Sequence, residues 1–244
     1  MRKVTLGPLE AIITPADVSG TEGAAAAPLW TVLLHGFGAP ATDLVGLTRA
    51  LGPLPGVIFV YPGALHALGY GYGEGRAWWP IDFGELEGAR RRRDFPAIAQ
   101  SEPPGLDEAR AALGDALTVL EREHGLTRER LVLGGFSQGA MLACDYALRS
   151  DSPLAGLVLL SGMPIALSTW TARLATRRGL PVFQSHSPDD LVLPFELAEQ
   201  LASLLREAGL DHQFVSFRGG HGIPAPVLAG LRAFLIARAS AAPA

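Results

Sequence analysis

The chain has 244 residues, a normal size for one α/β domain, and its apolar fraction of 48 % supplies a sizeable core. A net charge of −4 and a pI near 5.9 speak against nucleic acid or an anionic membrane as a partner. The single cysteine, Cys144, excludes an intramolecular disulfide, argues against a Cys-based metal site, and is read as a buried hydrophobe within the apolar stretch 140–148.

The first residues, Met1-Arg-Lys-Val-Thr-Leu-Gly-Pro8, lack the continuous apolar run of a signal peptide. No stretch approaches the ~20 apolar residues of a membrane span. A cytoplasmic protein without stable membrane insertion is therefore the expectation. Short apolar runs at 30–35, 57–61, 131–135, 154–161, 181–186 and 213–217 are nearly continuous in Val, Ile, Leu and Phe, the pattern of strands covered on both faces. Residues 20–28 are small and read as a loop. Residues 63–105, rich in Gly, Pro, Trp and Arg with weak periodicity, read as an insertion over one end of the sheet.

Helical spacing follows. Leu106, Ala109, Leu113, Ala116, Leu117 and Leu120 share one face, with Asp107 and Glu108 near the start. Leu197, Leu201, Leu204, Leu205 and Ala208 repeat the pattern before the stop signal of Gly209, and Val227, Leu228, Leu231, Phe234 and Leu235 form the last helix. The tail 239–244 reads as frayed. Alternating strands and helices predict a single α/β domain over residues 1–244, with a mostly parallel sheet and helices on both faces.

The chemistry starts at Gly135-Phe-Ser-Gln-Gly139, a G-x-S-x-G that directly follows an apolar strand and precedes a helix-compatible run. That context makes a nucleophile elbow, with Ser137 lifted clear of the sheet at a helix N-terminus that favours developing negative charge. A serine hydroxyl needs a base. Of the six histidines, His66, His124, His186 and His212 read as polar residues in the insertion or at element ends. His221 stands in Gly219-Gly-His-Gly-Ile-Pro224, between the last strand and last helix, and follows the serine in chain order. The acid belongs between them, after the strand 181–186, where Asp189 and Asp190 both qualify; Asp151 follows a helix and reads as a surface residue. His35-Gly-Phe-Gly38 closes an early strand, and the backbone amides of Phe37 and Gln138 are the expected oxyanion donors. The His35 ring itself needs no chemical role.

With these residues in hand, the chain resembles the phospholipase/carboxylesterase family of α/β hydrolases, which includes the acyl-protein thioesterases. The marks are Leu34-His-Gly-Phe-Gly38, Gly135-Phe-Ser-Gln-Gly-Ala140, His186-x-x-x-Asp190-x-Val192-x-Pro194 and Gly220-His-Gly-Ile223. The resemblance implies an α/β-hydrolase fold and selects Asp190 over Asp189 by its spacing to Pro194. It also implies that Trp78 and Trp79 lie near the acyl pocket, against the alternative that two adjacent tryptophans simply pack the loop. The chain departs from the family at Ala39-Pro40, where an Asp is usual, and at Ser187, where Gly is usual. The basic run 90–93, flanked by Glu85, Glu87 and Asp94, reads as a salt-bridged face, with anionic head-group binding as the lesser alternative.

The expected protein is a serine carboxylesterase of short- to medium-chain esters, using Ser137, Asp190 and His221 on a small-molecule substrate. It needs no metal and no cofactor, since no Rossmann or Walker glycine spacing appears at a strand–helix junction. An acyl thioesterase or lysophospholipase with the same triad is the alternative, followed by a non-catalytic binding protein of the same fold.

Overall fold

The computed structural model describes residues 1–15, 27–69 and 71–241. Most of the predicted 20–28 loop and the end of the 239–244 tail lie outside the described residues; the last helix runs on through Ser240. The chain builds one eight-stranded sheet. Its strands are β1 Arg2–Leu6, β2 Leu9–Ile13, β3 Leu29–Leu34, β4 Val57–Pro62, a small pair β5 His66–Ala67 and β6 Arg76–Ala77 that stands apart, then β7 Leu131–Phe136, β8 Gly156–Leu160, β9 Pro181–His186 and β10 Asp211–Ser216. The order is β1-β2-β4-β3-β7-β8-β9-β10, antiparallel at the β1–β2–β4 edge and parallel throughout the rest. The expected mostly parallel sheet is thus present, extended by an antiparallel N-terminal hairpin absent from the sequence expectation.

Because side chains alternate along a strand, the central strands feed two apolar layers. Val32 and Leu34, with Leu131 and Leu133, face one layer; Leu29 and Leu33, with Val132, face the other. Helices α4 Leu106–His124, α5 Gln138–Arg149, α6 Leu167–Leu174 and α7 Phe195–Glu207 cover the first, while α1 Gly46–Ala50 and α8 Ala225–Ser240 cover the second. The spacing read in the sequence is what α4 buries: Leu106, Ala109, Leu113, Ala116, Leu117 and Leu120 all sit in the core.

Insertion 63–105 carries more structure than its weak periodicity promised. It holds the β5–β6 pair and two short helices, α2 Phe83–Arg91 and α3 Phe95–Gln100. The start of α3 is fixed by Asp94, whose carboxylate accepts the Ala97 amide at 3.2 Å, and by Pro96 in the first turn.

One polar cluster inside the helical layer has no counterpart in the sequence pattern. Asp145 on α5 is fully buried and accepts from Arg110 on α4 at 2.8 Å, from Arg149 at 2.9 Å and from the Trp170 ring N–H on α6 at 2.8 Å. A buried carboxylate is tolerable only with such partners, and here it ties three helices behind the elbow. Arg177 acts similarly at the end of α5, donating to the carbonyls of Ala147 at 2.6 Å and Ser152 at 2.7 Å, and to Ser150. Its guanidinium satisfies the Ala147 carbonyl, which the helix end leaves without an intrahelical partner, and two carbonyls of the segment that follows. The Cys144 thiol is buried as expected, and burial pushes its pKa well up, so it stays protonated.

Candidate active site

Ser137 stands where β7 passes into α5, with φ 54° and ψ −118°. A non-glycine residue in that region stores about 1–3 kcal/mol of backbone strain. The surroundings impose it. Its amide donates to the Leu160 carbonyl on β8 at 2.8 Å, and its carbonyl accepts from Ala140 at 3.0 Å at the start of the helix. Ser137 makes no side-chain cap bond to α5.

The flanking glycines are required by close packing. A Cβ on Gly135 would lie 2.5 Å from the Gly139 carbonyl carbon and 2.6 Å from the Leu34 oxygen. A Cβ on Gly139 would collide with the Leu34 carbonyl itself. The elbow is therefore pressed against the end of β3, which leads into the His35-Gly-Phe-Gly38 loop. At Gly36 a Cβ would sit 3.3 Å from Ser137 Cβ, so that loop runs directly beside the serine.

Both expected oxyanion donors are at this junction. Phe37 lies between Gly36 and Gly38, and the Gly38 amide is anchored to the Arg76 carbonyl at 2.9 Å. Gln138 opens α5, where an amide has no intrahelical acceptor. Its buried side chain acts separately, on the insertion. There Oε1 accepts the Trp78 amide at 3.0 Å, and Nε2 donates to the Trp79 carbonyl at 2.9 Å. The Trp78 indole N–H in turn donates to the His35 carbonyl at 2.9 Å.

Trp78 and Trp79 are buried in the core, Trp78 completely. Both indoles are packed inward beside the Gln138 and His35 contacts. They brace the serine turn and the glycine loop from behind. The aromatic side chains that do reach the surface here are Tyr72 and Phe83, both half exposed and packed edge-on against Phe37, with centroids 6.1 and 5.1 Å away.

The His35 ring is structural, as expected. The Ala64 amide donates to Nε2 at 3.0 Å, so the proton of the neutral ring sits on Nδ1, which donates to the Gly36 carbonyl at 2.8 Å. Burial lowers its pKa, against the raising effect of the Gly36 carbonyl, and keeps the ring neutral.

His221 and Asp190 are brought together. Nδ1 of His221 donates to Asp190 Oδ2 at 2.6 Å, which leaves Nε2 as the ring nitrogen not engaged by the carboxylate. Asp190 Oδ1 accepts the amides of Val192 at 2.7 Å and Leu193 at 2.9 Å. Burial alone would raise this carboxyl, but the His221 hydrogen bond, the two amides and the His221 charge together hold it below the ordinary carboxylate value. The imidazole packs on Phe136, the residue before the serine, with centroids 4.8 Å apart. Elbow and His221 loop meet at the end of β8, where Ser161 Oγ donates to the Gly222 carbonyl at 3.5 Å.

Asp189 makes other bonds. Its Oδ1 accepts the Ser187 hydroxyl and the amides of Gly219 at 3.2 Å and Gly220 at 3.4 Å. Three further contacts complete the acid loop. His186, at the end of β9, places Nε2 3.4 Å from Asp190 Oδ2. Arg90 in the basic run donates to the Leu191 carbonyl, and Arg93 pairs with Glu196 at 2.9 Å, so the insertion is pinned onto the acid loop and the start of α7. The remaining histidines serve elsewhere; His124, for example, is hydrogen-bonded to Arg2 at 2.8 Å. Among the described residues no cluster of three or more His, Cys, Asp or Glu is placed to hold a metal, and no helix is long and apolar enough to cross a membrane.

Comparison with known proteins gives the family and the fold. The family described as Phospholipase/Carboxylesterase matches residues 21–238. An acyl-protein thioesterase 1 of Neurospora crassa is 29 % identical over 160 residues, covering 64 % of this chain and 61 % of that protein. The namesake from Emericella nidulans is 24 % identical over 74 % of this chain and 77 % of its own length. Among solved structures, esterase PE8 is similar with a TM-score of 0.76 and 29 % identity over 93 % of this chain and 97 % of that one. A Bacillus cereus carboxylesterase shares the fold at a TM-score of 0.68 and 16 % identity, covering 94 % of each chain.

Proposed function

The chain belongs to the phospholipase/carboxylesterase family of α/β hydrolases, and from that premise we propose that it is a serine carboxylesterase acting on short- to medium-chain carboxylic esters. The observation that carries this reading is the 2.6 Å hydrogen bond from His221 Nδ1 to the buried Asp190 carboxylate, set against a strained serine on the neighbouring turn.

In this mechanism His221 Nε2 takes the Ser137 hydroxyl proton as Oγ attacks the acyl carbonyl. The amides of Phe37 and Gln138 hold the oxyanion; in another serine hydrolase one such donor was worth about 10²–10³ in turnover. His221 then protonates the leaving alkoxide, and water repeats the sequence on the acyl-enzyme. Asp190 keeps the Nδ1–H tautomer and stabilises the imidazolium in both halves.

With Trp78 and Trp79 packed inward, the apolar contacts of the substrate are assigned to Phe37, Tyr72 and Phe83. Each methylene gains about 0.8 kcal/mol only while it finds such surface. Rates on p-nitrophenyl esters therefore climb with acyl length and then level off. Hydrolysis of p-nitrophenyl butyrate by the purified protein, with fluorophosphonate labelling at Ser137, is the direct test. A protein that neither releases the chromophore nor takes up the label is not a serine esterase. The name of the Neurospora relative favours a second reading, an acyl thioesterase. A kcat/KM that keeps rising through palmitoyl thioesters would select it.

A further inference from the structure

The geometry points to His186 as a positioning residue that holds the Asp190 carboxylate in register with His221. It rests on the proposed triad and concerns a residue that family spacing marks but to which no role has been given.

His186 is the last residue of β9 and is completely buried. Its Nε2 is hydrogen-bonded to the Leu193 carbonyl at 3.2 Å and lies 3.4 Å from Asp190 Oδ2. In a neutral ring the proton therefore belongs on Nε2. Nδ1 is buried and makes no hydrogen bond among the described residues, although the Gly162 backbone also lies close to the ring. Burial also lowers the ring's pKa, helped by the nearby His221, more than the Leu193 carbonyl, the Asp190 charge and the Gly162 backbone raise it.

The contacts form a closed set around the acid. His186 holds Leu193 by its carbonyl, and Leu193 by its amide holds Asp190 Oδ1. The same ring faces Oδ2, the oxygen that receives His221 Nδ1. On its far side it packs against Phe195 of α7, centroids 6.0 Å apart. Its own backbone carbonyl accepts the Phe217 amide at 3.2 Å, at the root of the loop that carries His221. The ring thus bears on the acid at both oxygens, on Oδ1 through Leu193 and on Oδ2 by the 3.4 Å approach, while the strand end it sits on meets the His221 loop through backbone. Neutrality matters here: a second cation on Oδ2 would compete with the imidazolium that Asp190 has to stabilise during turnover, whereas a neutral N–H orients the carboxylate without neutralising it.

The test uses the full chain. In wild-type protein labelled with ¹⁵N, His186 is expected as the neutral Nε2–H tautomer, and the His221 Nδ1 proton is expected far downfield. His186→Leu removes the N–H but fills the space. Its expected result is a kcat lower by about ten- to a hundredfold, with KM for p-nitrophenyl butyrate unchanged and the downfield proton lost. His186→Gln restores a donor, most of kcat and the downfield signal. A folded His186→Leu that retains both kcat and the downfield proton overturns the assignment. Should the leucine variant not fold, the wild-type spectrum decides, because a proton on Nδ1 alone would leave Nε2 with nothing to donate and overturn it as well. A wild-type protein that shows both proton signals but hydrolyses no ester would instead refute the proposed function and leave the positioning intact.

Discussion

Asp189 and Asp190 are neighbours in sequence and grip different parts of one loop: Asp190 takes the His221 ring, and Asp189 takes the Gly219 and Gly220 amides two and one residues before it. Both glycines have positive φ, 138° and 69°, a path that other residues follow only with strain. The Asp189 carboxylate supplies the acceptor that fixes this path. Ser187 contributes, because its hydroxyl donates to the same carboxylate oxygen.

The first prediction follows from that latch. The Ser187 hydroxyl, then the Gly219 amide, hold the Asp189 carboxyl down at about 2. A depressed carboxyl supports the folded state above its unfolded value of 3.8 and loses that support as pH falls towards 2. Carboxyl NMR on the wild type should therefore show Asp189 still ionised at pH 3. In Ser187→Gly the midpoint should move up towards 3.8. An unchanged midpoint in the variant would show that the hydroxyl is not its main cause.

The second concerns strain at the nucleophile. Ser137→Ala should abolish ester hydrolysis and retain the fold, while keeping the unfavourable backbone at φ 54°. Ser137→Gly should be equally inactive but more stable than the alanine variant by about 1 kcal/mol, since glycine adopts that region without a Cβ clash. Thermal unfolding of the two variants side by side measures the difference. An alanine variant more stable than the glycine variant would mean that the turn is not strained.

The third concerns the glycine behind the elbow. Gly139→Ala places a Cβ on the Leu34 carbonyl, a backbone group unable to rotate away. Overpacking of this kind costs about 1–3 kcal/mol or more. It should also push the serine turn off the Gly36–Phe37 loop and lower kcat. Urea unfolding and p-nitrophenyl butyrate kinetics report the two effects. Gly46→Ala, where no atom lies within 4 Å, is the matched control and should lose neither.

Much of this was legible in the sequence because the physics is local. Strands buried on both faces leave unbroken apolar runs, and β3, β4, β7, β8 and β9 all begin and end within two residues of theirs. G-x-S-x-G between a strand and a helix likewise encodes its own geometry. The β1–β2 hairpin escaped because a half-exposed edge alternates Arg, Lys, Thr and Glu with its apolar residues, over strands only five residues long. Contacts between distant residues left no pattern at all. Asp145 draws its partners Arg110 and Trp170 from 35 and 25 positions away. His186 looked like a polar strand end because its partner oxygens are defined only once the loop has turned back on it. Trp78 and Trp79 read equally well as pocket or packing, because the bonds that hold them, from the Trp78 amide to Gln138, from Gln138 to the Trp79 carbonyl and from the Trp78 indole to His35, join residues distant in sequence.

The last prediction concerns the acid itself. From residue types alone, Asp189 and Asp190 compete for the same role, and spacing to Pro194 favoured Asp190. The 2.6 Å bond from His221 reaches Asp190, so Asp190→Asn is the damaging change. Its amide would offer either an N–H facing Nδ1–H or an uncharged oxygen; the first favours the wrong tautomer, and the second gives the imidazolium little support. The corresponding change in trypsin lowered kcat by about 10⁴, and a fall of similar order is expected. Asp189→Asn keeps a carbonyl oxygen to accept from Gly219 and Gly220, and should cost tenfold at most, about 1.4 kcal/mol of barrier. Asp189→Ala removes the acceptor and should cost more than Asp189→Asn, by loosening the path of the His221 loop. Steady-state kinetics on the three variants orders them Asp190→Asn, Asp189→Ala, Asp189→Asn from most to least impaired. A crippled Asp189→Asn beside an active Asp190→Asn would assign the acid to the other residue and undo the proposed triad.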